Sequence, residues 1–179
     1  MLLKIVIALA AILAVLTVVI ALRPADFRYT RSATIAAPPS AVFAQVNDLH
    51  KWEAWSPWVK IDPAMKMSYD GPPSGVGASY TWSGNNEVGE GRSTIVETKP
   101  DEAIHLKLEF KRPFAGTNDV EFTFKPQGAQ TVVTWSMWGK NNFMSKAVGL
   151  VMDCEKMCGG MFEQGLASLE SVVEGTPKS

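Results

Sequence analysis

The chain has 179 residues, 46% of them hydrophobic, with 17 basic side chains against 18 acidic ones. This near balance gives no reason to expect nucleic acid or another polyanion as partner, and two cysteines are too few for a secreted disulfide scaffold. Once a strongly apolar start is set aside, roughly 150 residues remain, enough for one domain with a full core.

Ile5 to Leu22 is an apolar run broken only by Thr17, whose hydroxyl can bond its own helix backbone. Its 18 residues make a helix of about 27 Å at ~1.5 Å per residue, close to a hydrocarbon core of about 30 Å. Lys4 precedes the run, and Arg23 with Pro24 closes it. A cleaved signal peptide has a shorter apolar region and a small-x-small site; Val19 and Ala21 make only a mediocre one. The run therefore reads as an uncleaved anchor over residues 1–23, followed by a folded domain over 24–179. A cleaved signal is the alternative. No helical angle offers a polar face, which argues against a soluble core helix. Lys4 and the α-amino group favour one orientation, while Arg23, Arg28 and Arg31 favour the other, so the side of the membrane stays open.

Phe27 to Ile35 alternates as a strand does, and Ala37-Pro38-Pro39-Ser40 stops it. A helix over 40–47 follows, then an aromatic stretch over 48–59 that reads as a second short helix ending at Ser56-Pro57. Strands are expected over 65–69, 76–83, 88–97, 103–111, around Val120-Phe122-Phe124, and over 131–138. The turn signals between them include Gly84-Asn85-Asn86 and Gln127-Gly128-Ala129. Ile104, Leu106, Leu108 and Phe110 share one face of their strand and His105, Lys107, Glu109 and Lys111 the other, as in a sheet with one wet face.

From about Asn142 the period changes to that of a helix. Ala147, Val151, Cys154, Cys158, Met161, Gly165, Leu169 and Val172 form one stripe over about 30 residues. Gly159-Gly160 in its middle costs about 1 kcal/mol per glycine against alanine, so a kink or a close approach to the sheet is expected there. A long amphipathic helix after a run of antiparallel strands needs the concave face of a curved sheet to bury its stripe. Cys154 and Cys158 read as small apolar residues on that helix. With His50 and His105 in other elements they find no companion for a metal site. No phosphate loop, dinucleotide fingerprint or Ser-His-Asp order is present, so no cofactor is expected.

The segment FRYTRSATIAAPPSAVFAQVNDLHKWEAWSPW carries A-P-P-x-x-V-F and W-x-x-W-S-P-W. YTWSGNNEVGEGRSTI carries W-x-G-N and V-G-x-G, and FEQGLASLESVVE closes the chain. These resemble bacterial members of the SRPBCC (START-like, polyketide cyclase/dehydrase-like) helix-grip family, of the membrane-anchored type, over nearly all of residues 27–174. The resemblance implies an α+β fold in which about seven antiparallel strands wrap around a long C-terminal helix, with a deep cavity between them. It does not imply one chemistry, because such folds host carriers, cyclases and chaperone co-factors.

Candidate ligand-binding residues are Trp52, Trp55, Trp58, Tyr80, Trp82, Trp135 and Trp138, since large aromatics line apolar pockets. Met137, Met144, Met152, Met157 and Met161 join them, since thioethers adapt to varied ligands. Glu90 and Arg92 share a strand face. Turned inward they would orient a ligand head; turned outward they are a solvated pair of little worth. The leading expectation is a membrane-anchored binding domain for a lipid or other hydrophobic small molecule. A cyclase or dehydratase with Glu90 as its acid–base group is the alternative, and a protein-interaction module with a vestigial pocket is a third.

Overall fold

The computed structural model describes residues 1–175, so the last four residues of the expected domain lie outside it. Helix α1 (Leu2–Leu22) leads into strand β1 (Asp26–Ile35). A helical run of α2 (Pro39–Val46), a 3-10 turn (Leu49–Lys51), α3 (Trp52–Trp55) and α4 (Pro57–Ile61) follows. Six more strands come next: β2 (Lys66–Asp70), β3 (Ser79–Ser83), β4 (Glu90–Lys99), β5 (Ala103–Arg112), β6 (Gly116–Gln127) and β7 (Gln130–Lys140). Helices α5 (Phe143–Val148) and α6 (Cys154–Glu174) end the chain. The seven strands form one antiparallel sheet in the order β1-β7-β6-β5-β4-β3-β2. It is the helix-grip arrangement, a curved sheet around a long C-terminal helix.

Helix α1 buries none of its residues. Its 21 residues extend about 31 Å, long and apolar enough to cross a membrane. Thr17 donates to the Leu13 carbonyl at 2.8 Å, which satisfies its hydroxyl within the helix.

Inside the grip, alternate strand residues supply the core: Ile104 and Leu106 from β5, Val120, Phe122 and Phe124 from β6, Val133 and Trp135 from β7. Helix α6 meets them with Gly159, Phe162, Gly165, Leu166 and Leu169. This face is rotated from the expected stripe, because Phe162 and Leu166 replace Met161 and Cys158 at its centre. The expected 30-residue helix is also two helices. Asn142 caps α5 by accepting from the Ser145 N–H, and Asp153 caps α6 by accepting from the Lys156 N–H. Two caps within twelve positions force a break at 149–153. The second short helix does end at Ser56-Pro57, with Ser56 as the C-cap of α3, but a further short helix follows at once. Ser56 takes an extended backbone and Pro57 starts α4, where the missing N–H costs nothing.

The glycines of α6 have different tasks. Gly159 lets the helix backbone meet the Arg31 guanidinium of β1, which Glu155 (2.8 Å) and Glu163 (2.7 Å) hold from either side. A Cβ on Gly165 would stand 2.7 Å from Cζ3 of Trp135. Gly160 faces open space. The expected close approach to the sheet is therefore made by Gly159 and Gly165. Gly165→Ala should destabilise the fold by about 1–3 kcal/mol through overpacking, whereas Gly160→Ala should stabilise it by up to about 1 kcal/mol through helix propensity. Denaturant titration checks both, and equal effects at the two sites would contradict the packing described.

Candidate ligand-binding cavity

Between sheet and helices lies a cavity of about 70 Å³. Its floor is Tyr80 and Trp82 of β3, Ser93 of β4, Leu108 and Phe110 of β5, Val120 of β6 and Trp135 of β7. Its roof is Trp52 of α3, Trp58 and Val59 of α4, and Phe162 of α6, with Met65, Met67 and Val88 at the rim. The strand residues reach it because their parity is fixed by register: Ser93 stands opposite both Tyr80 and Leu108, and Gly91 opposite both Trp82 and Phe110. Gly91 has no side chain because the Trp82 ring and the Glu109 carbonyl occupy the place of its Cβ. Gly89, at φ +72°, turns the chain against the Arg112 carbonyl. The G-x-G of this hairpin thus makes room for an indole.

Trp135 is the hub of the wall. It lies parallel to Phe162 with centroids 4.3 Å apart and is tilted against Phe122 at 4.7 Å. Trp58 and Trp55 meet it edge-on at 5.7 and 5.8 Å. Edge-to-face and offset stacks add roughly 0.5–1.5 kcal/mol per pair beyond area burial. Two indoles have ordinary partners: Trp52 donates to the Val46 carbonyl at 2.9 Å and Trp82 to the Val88 carbonyl at 3.2 Å. The buried Nε1 atoms of Trp55 and Trp135 have no hydrogen-bond partner among the described residues, a state that costs about 1–3 kcal/mol per buried donor. Burial pushes the Tyr80 phenol above the usual range, so its hydroxyl stays protonated.

The cavity gathers Trp52, Trp58, Tyr80, Trp82 and Trp135. Trp55 lies behind them, fully buried. Met137 is buried on β7 away from the void, Met161 is half-buried and Met157 is exposed on α6. Trp138 is on the outer face, stacked on His105 and beneath Arg28. Glu90 and Arg92 are also outside. Glu90 pairs with Lys111 and Arg112 at 3.5 and 3.3 Å, and Arg92 reaches Asp70 at 3.3 Å and the Ser79 hydroxyl at 2.8 Å. Gly91, Ser93 and Ile95 are the inward residues of β4, so the acid–base role considered for Glu90 has no access to the cavity. Ser56, Val59, Met65, Met67, Val88, Ser93, Leu108, Phe110, Val120 and Phe162 complete the lining. The alternation of β5 marked Leu108 and Phe110. Only the correct phase of α6, set by its glycines, would have found Phe162.

A void of this size holds roughly two waters at about 30 Å³ each, against roughly 300–1,000 Å³ for sites that take drug-sized ligands. The deep cavity implied by the resemblance is here a narrow one, because indole rings fill it. On α6, outside the cavity lining, the Cys158 thiol is raised to about 11, first by burial and then by the neighbouring Cys154 and Glu155. Tyr29 is raised to about 12, again chiefly by burial. At pH 8 the Cys158 thiol should therefore be almost wholly protonated and slow to react with iodoacetamide, with a rate that climbs through about pH 11. A midpoint at an ordinary thiol value of about 8.5 would place Cys158 in water instead.

The sequence matches the family described as "Polyketide cyclase / dehydrase and lipid transport" over residues 26–174. No curated protein matches it significantly. Among solved structures, a protein from Thermobifida fusca superposes with a TM-score of 0.62 at 22% identity, covering 83% of this chain and 93% of that one. Protein MLL2253 from Mesorhizobium loti gives 0.61 at 16% identity, covering 85% and 100%. DynU16, from the dynemicin biosynthetic locus, gives 0.56 at 16% identity, covering 84% of this chain and 48% of its own. At these identities the likeness is one of fold.

Proposed function

The chain belongs to the polyketide cyclase/dehydrase and lipid transport family, and we propose that it is a membrane-anchored binding domain for a hydrophobic small molecule or lipid. Residues 24–179 would form the binding domain and 1–23 the anchor. The observation that carries this reading is the aromatic-walled void under α6, with the unpartnered Trp135 N–H in its wall. Apolar surface leaving water contributes roughly 25 cal/mol per Å², so even a short hydrocarbon or aromatic segment would gain affinity there. A carbonyl or hydroxyl on the ligand would satisfy the indole donor. A larger ligand enters by moving the rim, where Met65 and Met67 are unbranched and have accessible alternative rotamers.

Because α1 buries nothing, the domain keeps its core without it. Residues 24–179 purified from membranes' aqueous extract and analysed by mass spectrometry after solvent extraction should yield an apolar species in near-stoichiometric amount. Ser93→Leu, which pushes an isobutyl group into the void, should lower that occupancy, or the affinity for anilinonaphthalene sulfonate, about tenfold or more, or about 1.4 kcal/mol. A domain that emerges empty, and that binds the dye no differently with Leu at position 93, would contradict the proposal.

A further inference from the structure

The segment over residues 143–152 is apolar without being buried. Phe143 is 47% exposed, Met144 53%, Leu150 42%, Val151 85% and Met152 47%. So many large apolar side chains on one ten-residue surface are uncommon on a soluble domain. Phe114, 38% exposed at the β5–β6 turn, lies beside them, since Asn142 Nδ2 donates to the Ala115 carbonyl at 3.4 Å.

The position of this surface is set by α1. Lys146 Nζ donates to the Ala21 carbonyl at 3.2 Å, and Arg23 Nη1 donates to the Gly149 carbonyl at 2.8 Å. Asn141 N–H donates to the Ala25 carbonyl at 2.7 Å. The first two bonds fix α5 and the residue after it against the end of the apolar helix, and the third ties the chain ahead of α5 to the residue before β1. If α1 crosses a bilayer, these residues lie within about one helix diameter, roughly 10 Å, of the point where it leaves the hydrocarbon. Arg23, Lys140 and Lys146 stand at the same level, where long cationic side chains reach headgroups while their stems stay apolar.

We infer that residues 143–152, with Phe114, rest in the interfacial layer of the bilayer that α1 spans, seating the domain on the membrane with the cavity end down. The occupant of this surface is lipid. The orientation follows from strand register: the cavity residues Met67, Trp82 and Phe110 pair in one row near the ends of their strands, on the same side of the sheet as the start of β1 and the end of β7. A ligand of the proposed hydrophobic class would then pass between bilayer and cavity without crossing bulk water. The inference rests on the reading of α1 as an anchor.

The full chain, with Cys154→Ala and Cys158→Ala, can be reconstituted in phosphatidylcholine/phosphatidylglycerol vesicles carrying one nitroxide at Val15→Cys, Val151→Cys or Lys99→Cys. All three sites are exposed, so labelling spares the core. Relative accessibility to oxygen and to a nickel chelate should place the label at 15 deep in the acyl region, that at 151 at the interfacial level, and that at 99 in water. A label at 151 as open to nickel as that at 99, with 15 still deep, overturns the seating and leaves the anchor standing. A label at 15 in water overturns both. Spin–spin broadening at 151 without oxygen exposure would assign the patch to a second copy of the chain and overturn the inference.

Discussion

Trp135 lies flat against Phe162, centroids 4.3 Å apart and planes 7° from parallel, and this stack joins the middle of β7 to the middle of α6. Gly165, one turn beyond Phe162, leaves the indole the space that any Cβ would take. On the other side of the same helix Gly159 admits Arg31, which Glu155 and Glu163 hold in place. The two glycines bring the helix close at two points, and the aromatic stack sets its height over the sheet. A helix seated any higher would open the cavity to water; one seated lower would collide with Trp135.

That height gives the cavity its character. Aromatic rings make up about half of its wall, so it is narrow and shaped, while Met65 and Met67 keep the rim flexible. Apart from Arg31 of β1, which meets α6, these charged groups of the sheet lie on the convex face: Glu90 with Lys111 and Arg112, Arg92 with Asp70, and Asp119 with Lys107 and His105. Burial opposes ionisation of Asp119, but hydrogen bonds from Lys107 and His105 outweigh it and hold the carboxyl below its usual range. What remains inside is hydroxyl and indole: Ser56, Tyr80, Ser93 and the Trp135 N–H, which has no partner among the described residues. Such a lining discriminates by shape and by one or two hydrogen bonds.

Period-two alternation in β5 and β6 made the sheet and its inner face legible, because one side of those strands is wet and the other dry. The order of elements and the Trp-rich segments led to the fold. Parity in β4 was not legible in this way. Val88 and Val96 share the parity of Glu90 and Arg92, but Val88 precedes the turn at Gly89 and Val96 is itself exposed, and the inward positions are filled by Gly91 and Ser93, which carry no hydrophobic signal. Helix α6 misled for a similar reason: glycines on its buried face look polar to a periodicity count, so the stripe was placed one residue early. The small volume of the cavity could not be read at all, since it depends on how far the indoles interpenetrate.

The outer helix and the inner cavity are linked by position. Bonds from Lys146 and Arg23 tie the end of α1 to the segment that precedes α6, so any shift of α1 against the domain acts first on the start of the helix that covers the void. The central claim is that the space between Trp135, Phe162 and Leu108 is dry and can accept an apolar guest. Crystals pressurised with xenon, which enters dry apolar cavities, test it most directly. The account expects xenon density between those three side chains; ordered water there, or a void that remains unoccupied under pressure, would contradict it.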